Sequence, residues 1–204
     1  MVSLLSDDFK KKVTTYVQMI RKGKIVSERG RTMYQKRDKS EFLKECMSDA
    51  LLQLMGSKDY YKITADEIVA TAGVGRATWF RNFKSKDEAV AFKLRILWTR
   101  WRSDCEEATG EKITWDNSEF FFQFFLHYRA TYSKLYEAGL RHVIISDFIE
   151  SMEYLDDNAA FQFYHRQFYG LGLFGLIDGW IQRDFKESIP EMQEYLKQII
   201  SKPT

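Results

Sequence analysis

Proline is almost absent from this 204-residue chain, Pro190 and Pro203 being the only two. Nothing before residue 190 is therefore forced to break a helix at a proline. Cysteine is equally scarce: Cys46 and Cys105 exclude a disulfide scaffold and fit a reducing compartment. Long hydrophobic runs are missing too. The longest uncharged stretch, Gln167–Ile177, has 11 residues, against the roughly 20 that a bilayer-spanning helix needs. Asp7 and Asp8 interrupt the place where the apolar stretch of a secretion signal would lie. There is no Asn-Gly dipeptide and no sustained apolar/polar alternation of strand type, and the single Asp-Gly, Asp178-Gly179, sits inside an apolar run with helical spacing. Also missing are a Gly-rich phosphate loop, a His-Glu-x-x-His pair, metal-spaced cysteines and a Gly-x-Ser-x-Gly elbow. The expectation is an all-α, cytoplasmic, non-enzymatic protein with no metal, no cofactor and no membrane partner.

What is present is a packed-core composition with an uneven charge distribution. Hydrophobic residues make up 45%, charged residues 29% and aromatics 16%, enough for a chain of this length to bury roughly 70% of its unfolded surface. The net charge of +2 hides a division: residues 1–100 carry 21 Lys and Arg against 12 Asp and Glu, and residues 101–204 carry 10 against 17. A basic first half points to a polyanion or an anionic surface as partner, which the acidic second half would repel.

Residues 1–37 stand apart as an N-terminal extension. Phe9, Val13, Tyr16, Val17 and Ile20 share one face of a possible helix over 6–22, and a basic linker rich in Lys and Arg follows. A helix is expected from a Ser40 cap to Met55, with Gly56 at its C′ position. Thr64-x-x-Glu67 is a capping box that opens a short second helix. That helix ends at Ala72-Gly73, a third follows over Gly75–Asn82, and Ser85 caps a long fourth helix running to about Glu107. Two short helices across a tight glycine turn, over Ile63–Phe83, have the layout of a helix-turn-helix. Its inward face is supplied by Ile68, Val69, Ala72, Val74, Trp79 and Phe83, and its outward face by Gly75, Arg76, Ala77, Arg81 and Asn82. Arg suits guanine, Asn suits adenine, and small residues make room for base edges. Lys84 and Lys86 follow where phosphates would pass.

This stretch resembles the DNA-binding domain of the tetracycline-repressor family, whose pattern T-x-x-x-I-A-x-x-A-G-V-x-x-G-x-x-Y-x-x-F-x-x-K-x-x-L is matched at Thr64, Ile68, Ala72, Gly73, Val74, Phe83 and Lys86. The departures are Val69 for Ala, Ala77 for Gly, Phe80 for Tyr, and Val90 near the usual Leu. Phe80 lacks the hydroxyl that commonly bonds a phosphate, so that contact is expected to be missing. Carried over by position, Arg76, Ala77, Arg81 and Asn82 are the implied base-reading set, and Thr64, Thr78 and Lys86 the implied phosphate contacts, beside Lys84 from its place after the third helix. The resemblance implies three parts: an extension at 1–37, a three-helix DNA-binding domain at 38–86, and a helical effector-binding and dimerisation domain at 87–204.

In the second half, helices are expected over Asn117–Tyr128, Thr131–Ala138, Arg141–Leu155, Ala159–Phe185 and Pro190–Ile200. The run Glu119–Tyr128 is apolar around most of its circumference and should be buried on several sides. Gly172, Gly175 and Gly179 form one stripe that permits close helix approach, and the wording through Trp180 is similar to a dimer-forming helix of one subclass of the family. A two-fold bundle of the last two helices is expected, with an intrachain crossing as the other use of the stripe. Surplus aromatics suit a ligand pocket, for which Trp115, Phe121, Phe125, Tyr128, Tyr132, Tyr164 and Phe168 are candidates, with His142 as an orienting group. The whole reads as a ligand-responsive homodimeric repressor of a palindromic double-stranded DNA operator, with a small molecule as effector. The competing reading is a helical protein-interaction or membrane-surface module that uses the amphipathic segment 6–22 and its Lys10–Lys12 cluster.

Overall fold

The computed structural model describes residues 39–110, 118–151 and 159–201. The extension at 1–37 and Trp115 lie outside the described residues. Among those described, the chain is helical throughout: α1 (Lys39–Leu54), a 3-10 turn (Tyr60–Lys62), α2 (Ala65–Ala72), α3 (Arg76–Asn82), α4 (Lys86–Thr109), α5 (Ser118–His127), α6 (Arg129–Glu137), α7 (Arg141–Ser151), α8 (Ala159–Gln182) and α9 (Ile189–Ser201). No helix among them is long and apolar enough to cross a membrane.

Local chemistry explains most of the helix ends. Ser85 accepts a hydrogen bond from the Glu88 amide and starts α4, and Gly110, at φ 70°, ends it. Ser188 and Glu191 form a box that the sequence analysis missed: the Ser188 amide donates to the Glu191 carboxylate at 2.7 Å, with Pro190 in the first turn of α9. Three expectations at helix ends are corrected. Ser40 lies inside the first turn of α1 instead of capping it, and its hydroxyl donates to Asn82. Gly56 does not terminate α1 through a left-handed φ; it is small because a Cβ there would sit 3.0 Å from the Gln53 carbonyl oxygen. Helix α8 stops at Gln182 rather than Phe185, because Asp184 and Phe185 take left-handed φ values of 57° and 54°. Phe185 thereby folds back against Trp180, with ring centroids 5.0 Å apart.

Helix α4 is the spine. Its first half packs on α1, α7 packs against it further on, and Trp101 and Cys105 on its second half enter the core. The buried hydrophobic residues form one connected cluster, from Met47, Leu51 and Ile68 to Phe174 and Trp180. Helix α5 is buried on several sides as its composition required: Phe120, Phe121, Phe122, Phe124 and Phe125 are all buried. The Asp178-Gly179 pair is helical, and the Asp178 carboxylate accepts from Arg141 (2.6 and 2.9 Å), from Gln182 (2.9 Å) and from the Tyr136 hydroxyl. These bonds tie α6, α7 and α8 together. The Arg141 hydrogen bonds hold Asp178 below the usual carboxylate range, against the opposing effect of burial.

Between α1 and α4 lies a cluster of charges. Lys93 and Glu45 are 8% and 5% exposed. The Lys93 ammonium is 2.5 Å from Asp49 and 3.6 Å from Glu45, and Glu45 also pairs with Arg100. Removing one member of a buried charged group leaves its partner uncompensated. Lys93→Ala is expected to lower the unfolding free energy by about 3 kcal/mol in urea denaturation, whereas Asp49→Ala, at the exposed end of the pair, costs less than about 1 kcal/mol. Equal losses for the two variants would contradict this account of the α1–α4 contact.

Candidate nucleic-acid interface

The capping box read from the sequence is present. The Thr64 hydroxyl accepts from the Glu67 amide at 3.3 Å, and the Glu67 carboxylate accepts from the Thr64 amide at 2.9 Å. Lys58 donates to the same carboxylate at 2.5 Å. Lys58, then Thr64, pull the Glu67 carboxyl down to about 2. Helix α2 ends at Gly73, whose φ of 67° turns the chain, and the Val74 amide closes the turn on the Val69 carbonyl at 3.0 Å. A residue with a Cβ is strained at that φ. Helix α3 then leaves Gly75 with Trp79 and Phe83 facing inward, buried, their ring centroids 5.3 Å apart.

The outward side of α3 presents Arg76, Ala77, Phe80 and Arg81, all exposed. The Arg76 guanidinium lies 3.3 Å from the Asp66 carboxylate on α2 and 5.7 Å from the centre of the Phe80 ring. Both members of the Arg76–Asp66 pair are more than 60% exposed, so the pair orients the arginine without fixing it. Asn82, expected to read bases, is instead engaged within the chain. Its amide nitrogen donates to the Thr78 carbonyl at 2.7 Å and its oxygen accepts from Ser40 at 3.0 Å, pinning the end of α3 to the start of α1.

The expected phosphate contacts divide in a similar way. Lys84 is exposed and Thr78 is half-buried. The Thr64 hydroxyl is occupied by the capping box, donating to Glu67 at 2.9 Å. Lys86 donates to the Tyr60 and Ile63 carbonyls at 2.5 and 2.9 Å, and its ammonium lies 4.5 Å from the Tyr60 ring centre. Burial lowers the Lys86 pKa, with Asp87 and Asp59 opposing. The next residue, Asp87, accepts from the Tyr60 hydroxyl and from His142 on α7, the latter at 2.9 Å. Burial raises the Asp87 carboxyl, but the Tyr60 and His142 bonds outweigh it and hold the group below the usual range. The first turn of α4 thus fastens the loop before α2 and meets the second half of the protein.

The expected pocket residues are scattered. Phe125 and Tyr132 line a cavity of about 30 Å³ among α4, α5, α6 and α7, with Trp98, Phe124 and Phe148. Phe121 packs in the core on Phe125 and Phe148, and Tyr128 is half-buried beside Trp101 and His127. His142 faces Asp87 rather than the cavity, and Tyr164 and Phe168 are 71% and 75% exposed on α8. The cavity's polar wall was not legible in the sequence. Asp147, 8% exposed, is bonded to Arg95 at 2.9 Å. Burial pushes the Asp147 carboxyl up to about 7; Arg95 opposes this without overcoming it, and Glu150 adds to it. A larger open hollow of about 480 Å³ lies between the end of α1 and α6, beside Lys58, Tyr61, Lys134 and Glu137.

On α8, Gly172 and Gly175 are exposed, and a Cβ at Gly172, Gly175 or Gly179 would meet nothing within 4 Å. The stripe therefore serves no close intrachain crossing among the described residues. Trp180, expected at a two-fold interface, is a core residue of its own chain: it is 1% exposed, meets Phe122 edge to face, and donates from Nε1 to the Glu187 carbonyl at 3.0 Å.

A short capped helix, a left-handed glycine turn and a second helix with arginines turned to solvent make a helix-turn-helix, the layout of a DNA-binding domain. Residues 48–91, from within α1 to the second turn of α4, match the family of bacterial regulatory proteins described as the tetR family. Over these residues the chain carries a DNA-binding domain of the tetR type. No curated protein matches it.

The cavity carboxyl has a thermodynamic signature. The Asp147 pKa rises from 3.8 to about 7 on folding, so between those values the folded state holds a proton that the unfolded state releases. Its contribution to stability therefore falls as pH rises from about 4 to 7 and is constant above that range. Urea unfolding at pH 5 and pH 8 should show the unaltered protein losing on the order of 2 kcal/mol more over this interval than Asp147→Asn. Equal pH dependence in the two proteins would contradict the buried, protonated carboxyl.

Proposed function

We propose that the chain is a cytoplasmic transcriptional repressor that binds a roughly palindromic operator as a homodimer and releases it when a small molecule occupies the second half. The observation that carries the reading is the outward face of α3, where Arg76, Ala77 and Arg81 stand exposed on a helix whose other side is locked by Trp79 and Phe83. Because Asn82 is held by Thr78 and Ser40, base reading falls on Arg76, Ala77 and Arg81, with Asn82 positioning the helix. Phosphate contacts fall first on Lys84 and Thr78. Thr64 and Lys86 have their polar atoms partly committed inside the chain and support the fold of the interface as well.

The homodimer is supported by apolar side chains that stand exposed on the last two helices among the described residues. Phe161, Phe163, Tyr164 and Phe168 on α8 are 53–75% exposed, and Ile199 and Ile200 at the end of α9 are 63% and 60% exposed. Exposed apolar side chains gathered on two helices suit an interaction site, and a second copy brings the same side chains. The exposed Gly172 and Gly175 allow close helix approach there. The effector reading rests on the aromatic cavity with Asp147 and Arg95 in its wall. At about 30 Å³ it holds little more than a water molecule, so an effector must part α4 and α7 to enter. It shifts the protein between states only through its differential affinity for them. The alternative of a membrane-surface module rests on residues 6–22, outside the described residues, and nothing described favours it. The reading assigns no catalytic role.

Arg76→Ala with Arg81→Ala tests the interface. The double variant is expected to lose about 1–3 kcal/mol of specific affinity per lost base contact and to keep most of its binding to random duplex, measured by fluorescence anisotropy. Undiminished discrimination between a selected duplex and random DNA would contradict the assignment.

A further inference from the structure

The outward panel of α3 contains a side chain for which the arginines give no account. Phe80 is 61% exposed. It lies four residues after Arg76, on the same stripe, and beside Ala77 and Arg81 on the neighbouring stripe. The ring carries no hydrogen-bonding group, so it gains nothing from a phosphate. The Arg76 guanidinium lies 5.7 Å from its centre. In the major groove the one apolar group on a base edge is the 5-methyl of thymine, whereas the partners suited to arginine are O6 and N7 of guanine. Ala77 adds no bulk that would keep the ring from the groove floor.

Resting on the DNA-binding reading above, we infer that Phe80 is a specificity-determining residue that packs on a thymine methyl next to the guanine read by Arg76. The operator then contains an adjoining thymine and guanine in each half-site. Its preference at the thymine comes from burial of the methyl against the ring, without a hydrogen bond.

The test starts by selecting duplexes from a random pool with the full chain. Each thymine of the selected duplex is then replaced in turn by deoxyuridine, which keeps base pairing and removes only the methyl. At the thymine beside the essential guanine, the unaltered protein should bind the uracil duplex about three- to tenfold more weakly, the scale of burying one methyl group. Phe80→Ala should bind thymine and uracil duplexes equally, and Phe80→Leu, still apolar, should retain part of the difference. Equal binding of thymine and uracil duplexes by the unaltered protein overturns the inference and leaves the DNA-binding reading standing; the ring then meets sugar. An undiminished uracil penalty in Phe80→Ala also overturns it, since the methyl is then met by another residue such as Ala77. A pool from which nothing is enriched overturns the DNA-binding reading, and this inference with it.

Discussion

Everything in this protein hangs on the packing of helix α4 against its neighbours. Its 24 residues form one uninterrupted helix, and both halves of the chain are fastened to it. At its start, Lys86 holds the carbonyls that precede α2, and Asp87 binds both Tyr60 and His142. Further along, Lys93 enters the buried charge cluster with Glu45 and Asp49 on α1, while Arg95 reaches Asp147 on α7. An apolar contact alone would tolerate sliding. Polar partners at fixed distances, with Lys93, Glu45 and Asp147 buried, specify one register.

The direction of α3 follows from this arrangement. The recognition helix has only seven residues, too few to be stable alone. It is held by Trp79 and Phe83 in the core and by the Asn82–Ser40 bond to α1. Any movement of α4 relative to α1 therefore re-aims Arg76, Phe80 and Arg81. The contact between α4 and α7 is pinned at Asp87–His142 and at Arg95–Asp147, and the aromatic cavity lies beside the second of these pairs. This supports the proposed coupling of effector to DNA: a ligand that widens the cavity displaces α7 from the helix that carries the recognition unit.

The helix-turn-helix was legible because its signals are local. Thr64 and Glu67 cap α2 three residues apart, Gly73 supplies the left-handed turn that its lack of a side chain allows, and Ser85 caps α4. The same holds for the aromatic helix α5, whose apolar residues cover most of its circumference. What the sequence did not disclose depends on partners far along the chain. Asn82 meets Ser40 across 42 positions, Lys86 meets Ile63 across 23, and Asp147 meets Arg95 across 52. Lys86 and Asn82 have the side-chain types of DNA contacts, and only the fold shows that their polar atoms already have work inside the protein. Trp180 shares the resemblance to a dimer-forming helix, whereas the turn at Asp184 and Phe185 brings Phe185 against it within the chain. Phe80 was read as the loss of a hydroxyl; its exposure beside Arg76 is a property of the folded surface.

The central claim is that the α3 face recognises DNA by sequence. The most direct measurement is a titration of the unaltered protein against DNA from upstream of its own gene and against an unrelated duplex of equal length, over a range of salt concentrations. The account predicts selective binding to the upstream DNA with two protomers per site, and affinity that falls steeply as salt rises. Equal, salt-sensitive binding to both duplexes would contradict recognition by α3, and no binding to either would contradict the DNA-binding reading altogether.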